Sequence, residues 1–186
     1  MNSVKYLREI LEKFSDDKNC IYTVPDLRQV FPGHKDASIS QILSRAVKQG
    51  FMDRICKGYY LYNKVRYVPY DVLVTVAARM RADHFNYISL ENVLSSHSII
   101  SQQMPNWLTI MTTGRSGVID CGRFGTLEFI HNNRSDDEIV GNLVLTADMA
   151  MPEANDKLAY SDLKRCRRQS LELVDRKELE SVLNGN

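Results

Sequence analysis

Apolar residues recur at the spacing of an amphipathic helix near the start of the chain. This pattern predicts a first helix from about residue 4 to residue 14 with Ser3 as its N-cap, carried by Val4, Leu7, Leu11 and Phe14. A short second helix is expected from a cap at Thr23 to about Phe31, where Pro32-Gly33 breaks the pattern.

The strongest helical pattern in the chain runs from about Asp36 or Ser38 to Gln49, and Gly50 is placed to end it. Its apolar positions are Ile39, Ile42, Leu43, Ala46 and Val47. The segments FMDRIC and YYLY then predict two strands joined by a tight turn at Lys57-Gly58. Helix, helix, turn, helix and hairpin is the element order of a winged helix-turn-helix.

The pattern changes after residue 66, and we expect a domain of residues 1–66 followed by a domain of residues 67–186. Residues 68–80 predict a connecting helix, and Ser89 begins a short helix to about Leu94. Strands are expected in NWLTIMTT, GVIDC and GTLEFI, which glycine turns separate, with a further candidate strand in EIVGNLVLT. Two last helices are expected, at about residues 153–171 and from a cap at Asp175, with Glu178 three residues on. The predicted fold class is α+β.

The formal net charge of +1 conceals an uneven distribution along the chain. Residues 1–66 contain twelve Lys and Arg against seven Asp and Glu, whereas residues 67–186 contain twelve against sixteen. A basic front part is typical of a module that meets a polyanion, although a chance spread of surface charge gives the same pattern. Hydrophobic residues at 44% and charged residues at 25% are ordinary for a globular protein.

The four cysteines are far apart and form no C-x-x-C pair, which favours free thiols in a reducing compartment. The first residues lack the basic-then-apolar pattern of a secretory signal. The longest apolar stretch, near residues 68–78, is well short of the roughly 20 residues that span a bilayer. We therefore expect a cytoplasmic protein with no membrane partner.

The outward face of the third helix is short, polar and basic. In the major groove, Gln41 and Arg45 are suited to reading base edges, and Lys35 and Lys48 to contacting phosphates. The hairpin adds Arg54 and Lys57. The complete set of candidate DNA-binding residues is Lys35, Ser38, Ser40, Gln41, Ser44, Arg45, Lys48, Arg54 and Lys57.

Two alternatives to DNA binding remain open for this region. The face of the third helix can be an ordinary solvated surface, or the module can dock a protein. Tyr59, Tyr60 and Tyr62 are expected to pack in the wing and core rather than to stack on bases, because a short hairpin must bury one face. A second candidate basic patch consists of Lys164, Arg165, Arg167 and Arg168, placed on one helix.

The sequence offers no recognisable catalytic or cofactor motif. The histidines, His34, His84, His97 and His131, lack metal-ligand spacing, and no phosphate loop or nucleophile elbow is found, so we expect no enzyme, metal or cofactor. Asp120 and Glu128 on neighbouring strands leave a metal-dependent nuclease as a minor alternative, without the usual lysine two residues after the acid. The turn at residues 112–117 is expected to be a hairpin loop, with anion binding as the alternative.

Four segments carry a resemblance to a known family: ASISQILSRAVKQGFMDRICKGYYLY, YISLENVLSSHSIISQQMPNWLTIMTTGRSG, FGTLEFIHNNR and MPEANDKLAYSDL. They resemble the AbiEi-type antitoxin family, a group of winged helix-turn-helix repressors of type IV toxin-antitoxin systems. The first segment resembles the family's winged N-terminal module, and the other three show more particular similarities to its second domain. Together these segments cover most of the chain.

The resemblance implies a repressor that binds double-stranded DNA at repeats in its own promoter. It also implies neutralisation, directly or indirectly, of a cognate nucleotidyltransferase toxin of the AbiEii kind, often on mobile or phage-defence elements. The family supplies no catalytic residue. A winged-helix regulator whose second domain senses a small ligand is the main alternative, and the oligomeric state stays open.

Overall fold

The computed structural model describes residues 2–101, 106–145 and 149–184 and has an α+β fold. Backbone contacts divide it into two compact units. The first comprises Met1–Val72 together with Cys121–Phe124, and the second comprises Leu73–Asp120 and Gly125–Asn186. The contacts thus change at residues 72–73, whereas the sequence pattern changes at residues 66–67. No helix in the described ranges is long and apolar enough to cross a membrane.

The first unit alternates helices with short antiparallel strands. Its elements are α1 (Ser3–Phe14), β1 (Ile21–Tyr22), a 3-10 helix (Pro25–Leu27), α2 (Asp36–Lys48), β2 (Met52–Cys56) and β3 (Tyr59–Tyr62). The N-cap of α1 is Asn2 rather than Ser3, because the Asn2 side chain accepts a hydrogen bond from the Val4 amide. Strand β3 lies between β1 and β2 in the sheet.

The predicted second helix is shorter than expected. It is a 3-10 helix at Pro25–Leu27, followed by one further helical turn in which the Phe31 amide donates to the Leu27 carbonyl at 3.0 Å. The N-cap of the 3-10 helix is Val24 rather than the predicted Thr23, although Thr23 and Asp26 hydrogen-bond each other at the start of this segment. The following Pro32 and Gly33, the latter at a φ of 82°, prevent a longer helix.

The apolar faces of α1 and α2 form one core with the 3-10 segment and the hairpin. Residues Leu7, Ile39, Leu43 and Ala46 are fully buried in it, and Phe51 and Met52 close it beside the hairpin. Helix α2 packs against both α1 and β2. The buried stripe of α2 fixes which side of the helix faces solvent.

The second unit is built on a mixed sheet with the order β6-β7-β5-β4-β9-β8. The bounds of its strands and helices, with α3 beginning in the first unit, are α3 (Pro69–Met80), β4 (Asn86–Ile88), α4 (Glu91–Ser96), β5 (Trp107–Thr112), β6 (Gly117–Asp120), β7 (Thr126–His131), α5 (Asp136–Val140), β8 (Leu143–Val144), β9 (Glu153–Ala154), α6 (Asp156–Arg165) and α7 (Arg176–Asn184). Strand β5 is parallel to β7, and β4 is parallel to β9.

Strand pairing corrects the expected hairpin loop at residues 112–117. That segment leads from β5 to β6, but β7 lies between these two strands in the sheet. The loop therefore crosses over β7 rather than joining adjacent strands. Its polar side chains form hydrogen bonds within the loop and with β7. The Ser116 hydroxyl accepts from the His131 amide at 2.8 Å, and the Thr112 hydroxyl accepts from the Gly114 amide at 3.0 Å.

Three further predictions for this unit need correction. The candidate strand EIVGNLVLT begins instead in α5, because Ser135 and Glu138 form a capping box, and among its described residues Leu143–Val144 forms the strand. The first C-terminal helix starts at Asp156 rather than residue 153, since Asn155 caps it and Glu153–Ala154 pairs as a strand. The helix expected from Ser89 begins at Glu91. The predicted cap at Asp175 is confirmed by its bonds to the Lys177 and Glu178 amides.

A buried polar network connects the sheet to α6. The carboxylate of Asp162 is completely buried and accepts from the hydroxyls of Tyr87 and Ser89, at 3.0 and 2.8 Å. It also accepts from Nε of Arg134 at 3.1 Å. Burial raises the pKa of Tyr87, and the adjacent Asp162 carboxylate raises it further. These bonds satisfy a carboxylate that would otherwise be costly to remove from water.

Candidate nucleic-acid interface

Helix α2 presents the face that the sequence singled out. Its buried stripe turns Ser38, Gln41, Ser44, Arg45 and Lys48 to the exposed side of the helix. Lys35, directly before the first turn, is also exposed, whereas Ser40 is half-buried. Every predicted candidate on this helix except Ser40 is therefore accessible to a partner.

The cationic side chains and the Gln41 amide of this face have no ion-pair or side-chain hydrogen-bond partner among the described residues. Lys35, Arg45 and Lys48 form no ion pair with any described residue, and the Gln41 amide has no side-chain hydrogen bond there. Ser44 is different, because its hydroxyl donates to the Ser40 carbonyl at 2.8 Å. Ser38, Gln41 and the cations are therefore the polar groups of this face that are available to bind a ligand.

An ion pair that sequence reasoning missed holds the start of α2. The Arg28 guanidinium donates from Nε and Nη2 to the two oxygens of Asp36, at 3.0 and 2.7 Å. These hydrogen bonds hold the pKa of the Asp36 carboxyl below its ordinary value. The pair links the 3-10 segment to the first turn of α2. Eight positions separate the two residues, so no helical periodicity in the sequence identifies them as partners.

The hairpin adds two exposed cations close in sequence to the end of β2. Lys57 forms no ion pair with a described residue, and Arg54 is exposed with Nε bonded to the Cys56 carbonyl at 3.4 Å. Gly58 adopts a φ of 89°, the left-handed conformation that the tight turn requires. Tyr60 and Tyr62 are buried, as expected for core packing, and Tyr59 is half-buried.

Both acidic residues between positions 34 and 62 are neutralised by arginines from outside that segment. Asp36 is paired with Arg28, and Asp53 with Arg123, while the Asn63 amide also donates to Asp53 at 3.0 Å. The opposing charges along α2 and the hairpin are thereby neutralised. The lysines of this segment thus meet little local competition for an anionic ligand.

The second predicted basic patch does not lie on one helix. Helix α6 ends at Arg165, and Arg167 takes a left-handed φ of 50° that reverses the chain. The Arg168 amide then bonds to the Leu163 carbonyl, and the Arg167 amide to that of Lys164, which is a Schellman C-cap without glycine. Lys164 lies over the Tyr160 ring, and Arg165 donates to the Asn133 side chain.

Arg168 is a structural ion-pair residue rather than a surface cation. Its guanidinium donates to Glu91 at 2.8 Å and to both oxygens of Glu128, at 2.9 and 2.8 Å. Desolvation opposes ionisation of Glu128, yet bonds from Arg168 and Trp107 outweigh it and lower the pKa of that carboxyl. The prediction that Arg168 contributes to a basic surface is therefore wrong.

The same ion pair removes the geometric basis of the nuclease alternative. A metal-binding carboxylate needs free oxygens, whereas both oxygens of Glu128 accept from Arg168, and one also accepts from the Trp107 indole at 2.9 Å. Among the described residues, no group of three or more His, Cys, Asp or Glu could hold a metal ion. His131 hydrogen-bonds the Gly114 carbonyl, and His97 hydrogen-bonds the Asp156 carboxylate.

Comparisons with known proteins add no further assignment. No protein-family model matches the sequence, and a search of curated proteins gives no match.

Proposed function

We propose that the first unit is a winged helix-turn-helix that binds double-stranded DNA, with α2 as the recognition helix in the major groove. The observation that carries the proposal is the exposed face of α2, on which Gln41, Arg45 and Lys48 have no partner among the described residues. An α-helix fits the major groove of B-DNA, which is about 12 Å wide.

Element order and strand order support this arrangement. The hairpin follows α2 directly, and the short strand β1 pairs with β3 on the side opposite β2. In this arrangement the turn at Lys57-Gly58 is the tip of the wing. Lys57 then contacts phosphate or enters the minor groove beside the recognition helix.

Different side chains of the interface have different roles. Gln41 and Arg45 read base edges, because a Gln amide can pair bidentately with adenine and an Arg guanidinium with guanine. Lys35, Lys48, Arg54 and Lys57 neutralise phosphates and fix the position of the helix. Exposed Ser38 adds a hydroxyl donor near the helix start, where backbone amides also favour phosphate.

We further propose that the whole chain is a DNA-binding antitoxin. It represses its own operon at promoter repeats and neutralises a cognate nucleotidyltransferase toxin. This step is supported by the resemblance to AbiEi-type antitoxins. The more particular segments of that resemblance include β4, α4, β5 and β7 of the second unit. The first three follow one another along the chain, and β7 lies beside β5 in the sheet. No catalytic residue is assigned to the chain.

The DNA-binding proposal is tested by a mobility-shift titration on a duplex from upstream of the gene. Alanine at Gln41, Arg45, Lys48 and Lys57 together is expected to abolish specific binding while circular dichroism stays unchanged, because all four side chains are exposed or uncommitted. Lys5→Ala on α1 is the matched control, since Lys5 is already paired with Glu9. Undiminished binding by the quadruple variant means that α2 is not the recognition helix.

The antitoxin proposal is tested by separating the two activities in the full chain. The quadruple variant is expressed from a heterologous promoter beside the adjacent nucleotidyltransferase gene, and survivors are counted. We expect this variant to protect the cells. Protection would show that neutralisation of the toxin does not depend on promoter repression. Failure of wild-type protein to protect, or absence of such a gene nearby, refutes the antitoxin assignment and favours a ligand-sensing regulator.

A further inference from the structure

Two cysteines that are far apart in sequence meet in the first unit. Cys56 is the last residue of β2, and Cys121 begins the segment Cys121–Phe124 that contacts place with the first unit. The thiol of Cys121 donates a hydrogen bond to the sulfur of Cys56. Both residues are buried, at 8% and 0% exposure.

Independent contacts hold this pair of thiols together. The segment Cys121–Phe124 packs against β2, and Arg123 pairs with Asp53 on that strand. Arg123 also donates to the Tyr67 hydroxyl at 2.8 Å, and the Phe124 ring packs against that of Tyr67. Packing on β2 and the contacts of Arg123 and Phe124 therefore hold Cys121 near Cys56 independently of the contact between the two thiols.

The other two cysteines lack this arrangement. The Cys20 thiol donates to the Asp17 carbonyl at 3.9 Å, and burial raises the pKa of both Cys20 and Cys166. In contrast, the hydrogen bond from Cys121 and the nearby Arg54 charge lower the pKa of Cys56. The lowered pKa increases the fraction of Cys56 that is present as the nucleophilic thiolate.

We propose that Cys56 and Cys121 are a reversible oxidation site that forms an intrachain disulfide with hydrogen peroxide as the oxidant. The Cys56 thiol loses its proton, the thiolate sulfur attacks one peroxide oxygen and the O–O bond breaks, and the departing hydroxide takes up that proton, so that a sulfenic acid and water are formed. The Cys121 sulfur then attacks the Cys56 sulfur and displaces the oxygen as a second water. Two thiols and one peroxide thus give one disulfide and two waters. The inference goes beyond DNA binding and does not rest on it.

The test uses full-length protein with Cys20→Ser and Cys166→Ser, which leaves the pair intact. After peroxide treatment, the intact mass is expected to fall by two hydrogens, and the unfolded protein no longer reacts with iodoacetamide. Peptide mapping gives a fragment that joins Cys56 to Cys121, and dithiothreitol restores both thiols. The matched control, Cys56→Ser with Cys121→Ser, keeps Cys20 and Cys166 and is expected to form no intrachain disulfide.

Several outcomes overturn the proposal. They are two thiols that still react after treatment, a sulfinic acid on Cys56 beside a reduced Cys121, and crosslinks between chains only. Should the serine variants fold poorly, peptide mapping of the oxidised wild-type protein is decisive, and absence of the fragment joining Cys56 to Cys121 counts against the site. None of these measurements uses DNA, so failure here leaves the proposed function untouched.

Discussion

Replacing Lys48 and Lys57 with alanine is expected to flatten the salt dependence of DNA binding. Four exposed cations of the proposed interface are assigned to phosphates, Lys35, Lys48, Arg54 and Lys57. Each phosphate contact contributes about −0.9 to the slope of log Kobs against log salt, so one bound copy has a slope of about −3.6. The double variant has a slope of about −1.8.

These slopes give a measurable difference in affinity. A rise in salt from about 50 to about 200 mM weakens wild-type binding about 150-fold but the variant only about 12-fold. Fluorescence anisotropy titrations at four or five salt concentrations measure both slopes. The flattening is expected equally on an operator duplex and on an unrelated duplex, because phosphate contacts carry no sequence information.

The control for this prediction is Lys5→Ala on α1, a cation already paired with Glu9 at 3.9 Å. It removes one positive charge, half of what the double variant removes, and no proposed phosphate contact. An unchanged slope for the double variant refutes the assignment of these lysines. Flattening by Lys5→Ala of half the amount seen for the double variant shows that net charge, rather than the α2 and hairpin surface, controls binding.

Three further predictions concern the second unit. Arg168→Met is expected to cost about 3–5 kcal/mol in urea unfolding because it leaves the buried Glu91 and the half-buried Glu128 without their cation, whereas Arg167→Met, at an exposed position, is expected to be nearly neutral. Because the pKa of Glu128 is lowered in the folded state, its ionised carboxylate stabilises the protein above the unfolded pKa of 4.5. Unfolding measured against pH should show this contribution disappear as the pH falls below 4.5. The decrease in stability over this pH range should be smaller in Arg168→Met. Gly125→Ala is expected to destabilise by at least about 2 kcal/mol, because Gly125 has a φ of 119° and a β-carbon there would collide with the Asn106 carbonyl. Gly117→Ala, which meets open space, is the matched control, and equal thermal shifts for the two glycine variants contradict the last prediction.

Local periodicity predicted the elements that form the candidate interface. The apolar positions of α2 place its start at residue 36 or 38 and its end near residue 49, and the structure has Asp36–Lys48. The hairpin also lies where glycine and alternating residues place it, with Gly58 in its turn. Such elements are predictable because neighbouring residues define both their period and their ends.

Features that depend on distant residues were not predictable in this way. Helix α6 ends through a left-handed Arg167, a position where glycine is the usual signal, so no local pattern indicates that Arg168 turns back towards Glu91. The parallel pairing of β5 with β7 likewise leaves no local trace. A signal for α5 was present, because Ser135 and Glu138 have capping-box spacing, but the apolar run after them favoured a strand.

The charge of the proposed interface depends on partners as well as on composition. Counting residues treats Asp36 and Asp53 as charges that oppose DNA, yet Arg28 and Arg123 already neutralise them. Arg28 and Arg123 in turn are engaged in ion pairs, so they are not counted among the phosphate contacts. The cations of α2, of the position directly before it and of the hairpin have no acidic partner among the described residues and remain available to a polyanion. Because Arg123 lies outside residues 1–66, a fragment that ends at residue 66 leaves Asp53 without its arginine, so part of the electrostatics of the proposed interface is encoded beyond the segment that forms it.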